Sequence, residues 1–457
     1  MPAPLNNQPA PRPAASTATG PKPAAILVKP PKIAVDTWRH RGLVSPEGKL
    51  PVERVVLDNP TYHNKITLHP TADESRQALL DSIKNAKSSF YIETFIWHND
   101  EAGREIAQAL IDRKKAAEAK GEKFDVKVLI DYGGLHDATN PTDDTQIVKF
   151  MKDAGLEVRL FNPTMVNPLA TGRTPITHRK LYIQDGTQFT TGGRNIGDEY
   201  LMSSFIAPKG GGQQKAWHDL LFTVRGDETG RVIDEFYKNW KRVGGSVPAV
   251  KPTIVPAMDG TAQVQSFVTD PLLHVHDIRD AEIKAIANAQ KEIIVVYPYL
   301  SDDGLVQALV DAKTKNPNLS IKIMIPAKGE KGLPGFLYNN LNIVSAGQLM
   351  AVGAEVRKVE AHKEGTELVD SFSHLKAMVF DGKLLSIGSA NGDQRTMANN
   401  NELNTLIFDE ALAKQFKDDV LMDDWNRGIP MTLKDVDGRS YWSRFVGWVL
   451  EGLDFLF

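Results

Sequence analysis

The stretch HRKLYIQDGTQFTTGGRN, His178 to Asn195, returns later in the chain as HLKAMVFDGKLLSIGSAN, His374 to Asn391. Both fit one template: His, any residue, Lys, four residues, Asp, six residues, Gly-Gly or Gly-Ser, one residue, Asn. The first copy supplies His178, Lys180, Asp185, Gly192, Gly193 and Asn195, and the second His374, Lys376, Asp381, Gly388, Ser389 and Asn391. A lone His-x-Lys match reads as a strand with a polar face. Two copies at equal internal spacing are a specific signal.

Three further blocks repeat in the same order outward from these. IKNAKSSFYIETFIWHND (Ile83 to Asp100) matches IANAQKEIIVVYPYLSDD (Ile286 to Asp303), VKVLID (Val126 to Asp131) matches IKIMIP (Ile321 to Pro326), and AGLEVRLF (Ala154 to Phe161) matches VGAEVRKV (Val352 to Val359). The offset between copies stays between 195 and 203 residues, so the register holds across a whole half. Apolar strands alternate with amphipathic helices, such as Ser75 to Ala86 and Gly103 to Ala117, which implies α/β units around a largely buried sheet. The fold class is therefore α/β: a duplicated domain in a pseudo-twofold monomer, with the last block of each half meeting at the interface, where ligand sites often lie.

Composition sets the boundaries. Residues 1–50 are a Pro/Ala-rich tail and lead-in that cannot bury enough apolar surface to offset its ordering entropy. The first domain is expected over 51–243, a Gly- and Pro-punctuated linker over 244–264, the second domain over 265–430, and an amphipathic segment over 431–457. With 41% hydrophobic and 24% charged residues in 457, the chain has the material for a large core. A net charge of -3 gives no broad basic field, so no nucleic-acid partner is expected. The absence of cysteine removes disulfides, thiolate nucleophiles and Cys-based zinc sites. No secretory-signal pattern opens the chain, which is read as unprocessed, and no run approaches the roughly 18 apolar residues of a spanning helix, so membrane contact is expected to be peripheral.

On a strand, His and Lys two residues apart project to one face. Two such motifs facing each other surround one phosphate with two imidazoles and two ammonium groups. One histidine attacks phosphorus, while the other protonates the leaving alkoxide and then deprotonates the incoming alcohol or water. Lys180, Asn195, Lys376 and Asn391 bind the substrate and neutralise charge growing on the non-bridging oxygens, without metal or cofactor. The orienting carboxylate each imidazole needs is sought by symmetry. Asp219 opens the strand DLLFTV and Glu402 the strand ELNTLIF, and they are assigned to His178 and His374 respectively. Asp185 and Asp381, each before Gly, read as turn formers.

These residues resemble the phospholipase D superfamily with its paired HKD motifs, over nearly everything from Ile66 onward. Within it the likeness is greatest to bacterial cardiolipin synthases: GGRNIGDEY follows the first motif, WHD stands at Trp217 to Asp219, and GSANGDQRTMANNNELN follows the second. The resemblance implies two phospholipase D-like α/β domains, a phosphohistidine intermediate, a phospholipid substrate, His178 as nucleophile and His374 as acid/base. A phosphatidyltransferase is the leading reading. A phospholipase D that hands the intermediate to water, including one exported without a cleaved signal, comes second, ahead of a nuclease and an idle lipid-binding scaffold. The protein is expected in the cytoplasm or peripherally on the inner face of the cell membrane, with export without a cleaved signal as the alternative. The resemblance leaves the acceptor and the oligomeric state open.

The remaining histidines, His40, His63, His69, His98, His136, His274, His276 and His362, lack a paired context and read mostly as surface or loop residues. His218 reads as a neighbour of the site. His274 and His276 have metal-pair spacing but no third ligand nearby. The stripe Trp442, Phe445, Trp448, Leu453, Phe455 and Phe457 reads either as core packing or as a peripheral membrane anchor, and the resemblance, whose members tend to end in an amphipathic apolar segment, favours the anchor.

Overall fold

Seven strands of the first half and seven of the second occupy equivalent places in one sheet. The structure, a computed structural model, describes Val52, Val56 and residues 57–136, 143–162, 175–206, 213–249, 251–327, 333–360, 363–364, 367–368 and 372–437. The tail over 1–50, the anchor stripe beyond 437, His40 and His362 lie outside the described residues. In the first half the strands are β1 (Thr61–His69), β2 (Ser89–Thr94), β3 (Asp125–Asp131), β4 (Glu157–Phe161), β5 (Leu181–Gln184), β6 (Gln188–Gly192) and β7 (Leu221–Gly226). In the second they are β8 (Ala262–Asp270), β9 (Glu292–Val296), β10 (Ser320–Pro326), β11 (Glu355–Val359), β12 (Ala377–Phe380), β13 (Leu384–Gly388) and β14 (Glu402–Phe408). The first half runs in the order β1-β7-β6-β5-β2-β3-β4 and the second in the order β8-β14-β13-β12-β9-β10-β11, and the two join where β1 pairs antiparallel with β8. Strand β8 begins at Ala262, inside the stretch read as linker.

The helices repeat as well. In the first half they are α1 (Ala72–Asn85), α2 (Glu101–Glu118), α3 (Thr145–Asp153) and α4 (Thr229–Arg242). In the second they are α5 (Asp277–Asn288), α6 (Asp303–Lys315), α7 (Leu333–Ala351), α8 (Glu410–Phe416) and α9 (Met422–Arg427). Their starts are written in the sequence. Thr71 accepts from the Glu74 amide while Glu74 returns to the Thr71 amide, and Asp100 accepts from Gly103. Helices α1 and α2 cover one face of the first half, where Leu79, Ile83, Ile106 and Leu110 pack on Phe90, Ile92 and Val128. A second core is common to both halves: Tyr91, Phe236 and Trp240 lie in one cluster with Met324, Phe416 and Trp425. Each such side chain, fully buried, contributes about 1.5–3 kcal/mol, so neither half buries its apolar surface alone. No helix among the described residues is long and apolar enough to cross a membrane.

The hairpins β5-β6 and β12-β13 explain the motif aspartates. Asp185 and Asp381 both sit at φ 53, followed by Gly186 at φ 73 and Gly382 at φ 68. Two successive left-handed residues match the twist of the hairpin, and Asp tolerates that region better than most. Each carboxylate also clamps the junction between helix and strand. Asp185 accepts from the amides of Lys87, Ser88 and Ser89, and Asp381 from those of Gln290, Lys291 and Glu292. Both stand at the end of the strand remote from the motif histidine.

Asp185→Ala removes that clamp and leaves a β-carbon residue at positive φ without a local acceptor. It is expected to lower unfolding stability by about 1–3 kcal/mol, Asp185→Asn by less, with turnover per folded molecule unchanged. An unaltered denaturation midpoint, or lost turnover in a fully folded variant, would overturn the clamp reading.

Candidate active site

Each motif histidine lies just before a short strand, in a segment zipped to the opposite half. The His178 amide donates to Asn401 O at 2.9 Å, and the Asn401 amide donates to Ile176 O at 2.7 Å. Equivalently, the His218 amide donates to Phe372 O at 2.7 Å and the His374 amide to His218 O at 2.8 Å. Backbone of one half thus brackets the histidine of the other.

This zipper exchanges the carboxylates. His178 Nδ1 lies 2.9 Å from Glu402 Oε1 and 3.2 Å from Oε2, and His374 Nδ1 lies 2.7 Å from Asp219 Oδ2. The pairing expected from the sequence, Asp219 with His178 and Glu402 with His374, is wrong in its partners. The reason lies in strand order: β7 and β14, which begin just after Asp219 and at Glu402, are separated by β6 and β13 from the strands that follow each histidine. Two strand spacings amount to roughly 10 Å, beyond side-chain reach, whereas the facing half brings its carboxylate directly over the ring.

Both carboxylates are buried to 1% exposure or less. Glu402 also accepts from Ser389 Oγ at 2.6 Å and from Asn400 Nδ2 at 3.3 Å. At the matching position of the first half stands Gly193, where a Cβ would overlap the Asp219 carboxylate. The Gly-Gly and Gly-Ser variants of the motif therefore follow the carboxylate above them. The first glycines, Gly192 and Gly388, lie where a Cβ would strike Leu220 O and Leu403 O of the neighbouring strand.

Lys180 and Lys376 are buried beside the rings. Lys376 Nζ lies 3.0 Å from His374 Nε2 and 3.1 Å from Nδ1, donates to His374 O at 2.6 Å, and lies 4.0 Å from Asp219 Oδ2. Lys180 Nζ donates to His178 O at 2.8 Å and lies 5.5 Å from the centre of the Phe95 ring. Burial draws the Lys180 ammonium well below its ordinary pKa, with Glu402 opposing and Lys376 adding to the fall. Burial also pulls His178 down to about 4; Glu402 opposes this while Lys180 and Lys376 add to it. His374 falls to about 3, from burial and then Lys376, against Asp219. Burial would raise Asp219, yet Lys376 and the hydrogen bond from His374 hold it below the usual carboxylate range. Each lysine acts on both histidines, so the two motifs form one electrostatic cluster. Its neutral imidazoles and paired cations suit an anionic ligand.

Asn195 Oδ1 accepts from the Ile96 amide at 3.4 Å, and Asn391 Oδ1 is buried with no hydrogen-bond partner among the described residues. Several neighbours escaped sequence reasoning. Asp131, at the end of β3, accepts from the Thr177 amide at 2.8 Å and so fixes the approach to His178; burial pushes it up to about 7 against its backbone hydrogen bonds. Buried Arg179 faces away from the ligand side, donating to Glu402 O at 3.2 Å and lying 3.9 Å from Glu93. Trp217 and Tyr200 pack on His374 with ring centres 5.0 Å and 6.1 Å away. A polar residue closing an apolar strand, as in VLID, was the available signal for Asp131. Trp217 and Tyr200 stand inside the WHD and GGRNIGDEY stretches, which marked them without giving them a role, and nothing local marked Arg179.

His98 is also corrected: it is buried, between Asp144 at 2.8 Å and Glu199 at 2.9 Å. Although burial opposes it, these two carboxylates push it up to about 10. The sequence missed it because the partners lie 46 and 101 residues away. His276 turns its ring toward Met397 O at 3.3 Å, and no group of three or more ligand-type side chains suited to a metal ion occurs among the described residues.

Comparison with known proteins agrees with this geometry. A family model described as cardiolipin synthase, PLD-like domain, matches residues 79–205 and 283–425, and each match contains one motif. The major cardiolipin synthase of Bacillus subtilis (strain 168) is 29% identical over 373 residues, 79% of this chain and 70% of that protein. A cardiolipin synthase of Listeria monocytogenes serotype 4a (strain HCC23) is 30% identical over 390 residues, 84% of this chain and 74% of that protein. Among solved structures, the phosphatidylserine synthase of Haemophilus influenzae Rd KW20 superposes with a TM-score of 0.63 at 15% identity, covering 89% of this chain and 99% of that one, a likeness of fold. With the duplicated motif, the shared sheet and these matches together, the chain belongs to the cardiolipin synthase family of phospholipase D-like proteins.

Proposed function

We propose that the protein is a phosphatidyltransferase of the cardiolipin-synthase type. The observation that carries this reading is the pair of buried imidazoles, each held at Nδ1 by a carboxylate of the opposite half and flanked by a buried lysine. Holding Nδ1 leaves Nε2 of His178 as the lone pair that attacks phosphorus. The bond from phosphorus to the headgroup oxygen breaks, and the departing alkoxide takes a proton from His374. A phosphohistidine and a free alcohol result. His374, now neutral, removes the proton from the hydroxyl of a second phospholipid as its oxygen attacks, the phosphorus–nitrogen bond breaks, and His178 is regenerated. Lys180, Lys376 and the two motif asparagines stabilise the charge on the non-bridging oxygens.

Purified protein incubated with phosphatidylglycerol vesicles is expected to yield cardiolipin and glycerol, identified by mass spectrometry and unaffected by EDTA. Phosphatidic acid as the main product would make it a hydrolase, and no turnover would make it a scaffold.

The variants should divide by branch. His178→Ala is expected to abolish turnover. His374→Asn is expected to slow it at least a hundredfold, and Asp219→Asn to act as a weaker form of it, both letting phosphohistidine accumulate, on alkaline-quench labelling, from a diester whose leaving group needs no proton. Glu402→Gln should instead depress formation of the intermediate. Accumulation in Glu402→Gln but not in Asp219→Asn would reverse the assignment.

Protonation supplies a further check. With His374 depressed to about 3, its ring is neutral at pH 7 in the free protein, yet it must carry a proton to act as an acid. Binding of an inert phosphodiester analogue at pH 7 should therefore take up close to one proton. Calorimetry in two buffers of different ionisation enthalpy reads this directly, and His374→Asn should remove it. Identical heats in both buffers would contradict the assignment.

A further inference from the structure

We infer that the closing helix of each half is a positioning device for its own half's histidine, acting through the opposite half's residue that precedes the orienting carboxylate. The inference rests on the two-histidine reading above and adds four residues to it: His218, Asp424, Asn401 and Arg242. His218 and Asn401 occupy equivalent places, one before Asp219 and one before Glu402, and their backbones bracket His374 and His178. Their side chains are what the closing helices grip.

On the His374 side, His218 Nε2 lies 2.8 Å from Asp424 Oδ2 of α9. Asp424 is 1% exposed and is braced by Arg427 at 2.6 Å. A five-residue π-helical turn, Lys417–Leu421, separates α8 from α9 just ahead of it. Wide turns of this kind recur near functional sites because they re-aim the residues that follow. On the His178 side, Arg242 at the end of α4 donates to Asn401 Oδ1 at 3.4 Å and to Asp270 Oδ2 at 2.8 Å. Asp270 follows Thr269, which pairs with Glu402 across β8 and β14. The same Arg242 donates to Asn239, and Asn239 donates to Glu93, whose carboxylate also takes the Thr177 hydroxyl next to His178. The chemistry differs between the halves, an imidazole on a carboxylate in one and a guanidinium on an amide and a carboxylate in the other, but the place in the fold is the same.

Because each grip serves one histidine, its loss should impair one proton or bond transfer and spare the other. A diester with a good leaving group separates them. The burst of p-nitrophenolate from bis(p-nitrophenyl) phosphate reports attack by His178 and needs no proton donor, whereas turnover of phosphatidylglycerol vesicles needs both histidines. In the full-length protein, Asp424→Asn is expected to lower kcat on phosphatidylglycerol roughly tenfold at unchanged KM, while the burst rate stays within about twofold of wild type. Asp424→Glu should recover part of the loss. Arg242→Leu is expected to slow the burst itself roughly tenfold. If Asp424→Asn fails to fold, His218→Asn provides the same test from the other side of the contact. Equal loss on both substrates for Asp424→Asn or His218→Asn, or an intact burst in Arg242→Leu, would overturn the proposal. A burst missing from wild type, or from His374→Asn, would instead remove the two-histidine reading beneath it.

Discussion

Two buried contacts, His178 with Glu402 and His374 with Asp219, cross between the halves, and much of the molecule serves to keep them in place. Removing the imidazole of such a pair strips a buried carboxylate of a hydrogen-bond donor, at a cost of about 1–3 kcal/mol. The contacts survive only because rigid strands deliver both groups to one spot. The zipper of backbone hydrogen bonds around Asn401 and His218 sets the spacing, and the core common to both halves holds the zipper closed. Stability and the proposed chemistry therefore draw on the same interface.

The electrostatics of the cluster follow from that burial. Two ammonium groups enclosed with two carboxylates balance in number, but burial draws the Lys180 ammonium down and keeps both imidazoles neutral. An arriving phosphodiester brings the negative charge that the lysines lack in full. The site is thus built for a ligand whose charge completes it, which is how a preorganised polar site stabilises charge without rearranging during reaction.

Much of this was legible in the sequence. The duplicated blocks gave the α/β class and the equivalence of the halves, since apolar strands and amphipathic helices recur in register, and the motif spacing picked out His178, Lys180, His374 and Lys376. The same symmetry argument found Asp219 and Glu402 by their place at or just before strand starts, yet assigned each to the wrong histidine. Sequence periodicity reports which residues share a face, not which strand lies between two others, and the intervening β6 and β13 decided the matter. His98 was illegible for a related reason: a buried imidazole needs its carboxylates, and those come from a helix N-cap and a short helix distant in sequence. Strands β1 and β8, which join the halves, carry mixed apolar and polar residues around a pairing irregularity and lack the apolar runs that announce β2 and β9.

The shelf beneath each carboxylate has a steric consequence. Gly193 lies under the shorter Asp219 and Ser389 under the longer Glu402, with the serine hydroxyl donating to it. Shelf and carboxylate belong to the same half, while the ring they serve belongs to the other. The length of each acid can therefore be changed together with its shelf without any change to the histidine motif of the other half. Exchange of Asp for Glu alone leaves the acid without its shelf, and exchange of Gly for Ser alone drives a side chain into the acid. The two positions are coupled sterically, so two halves that differ in their acids still serve equivalent histidines.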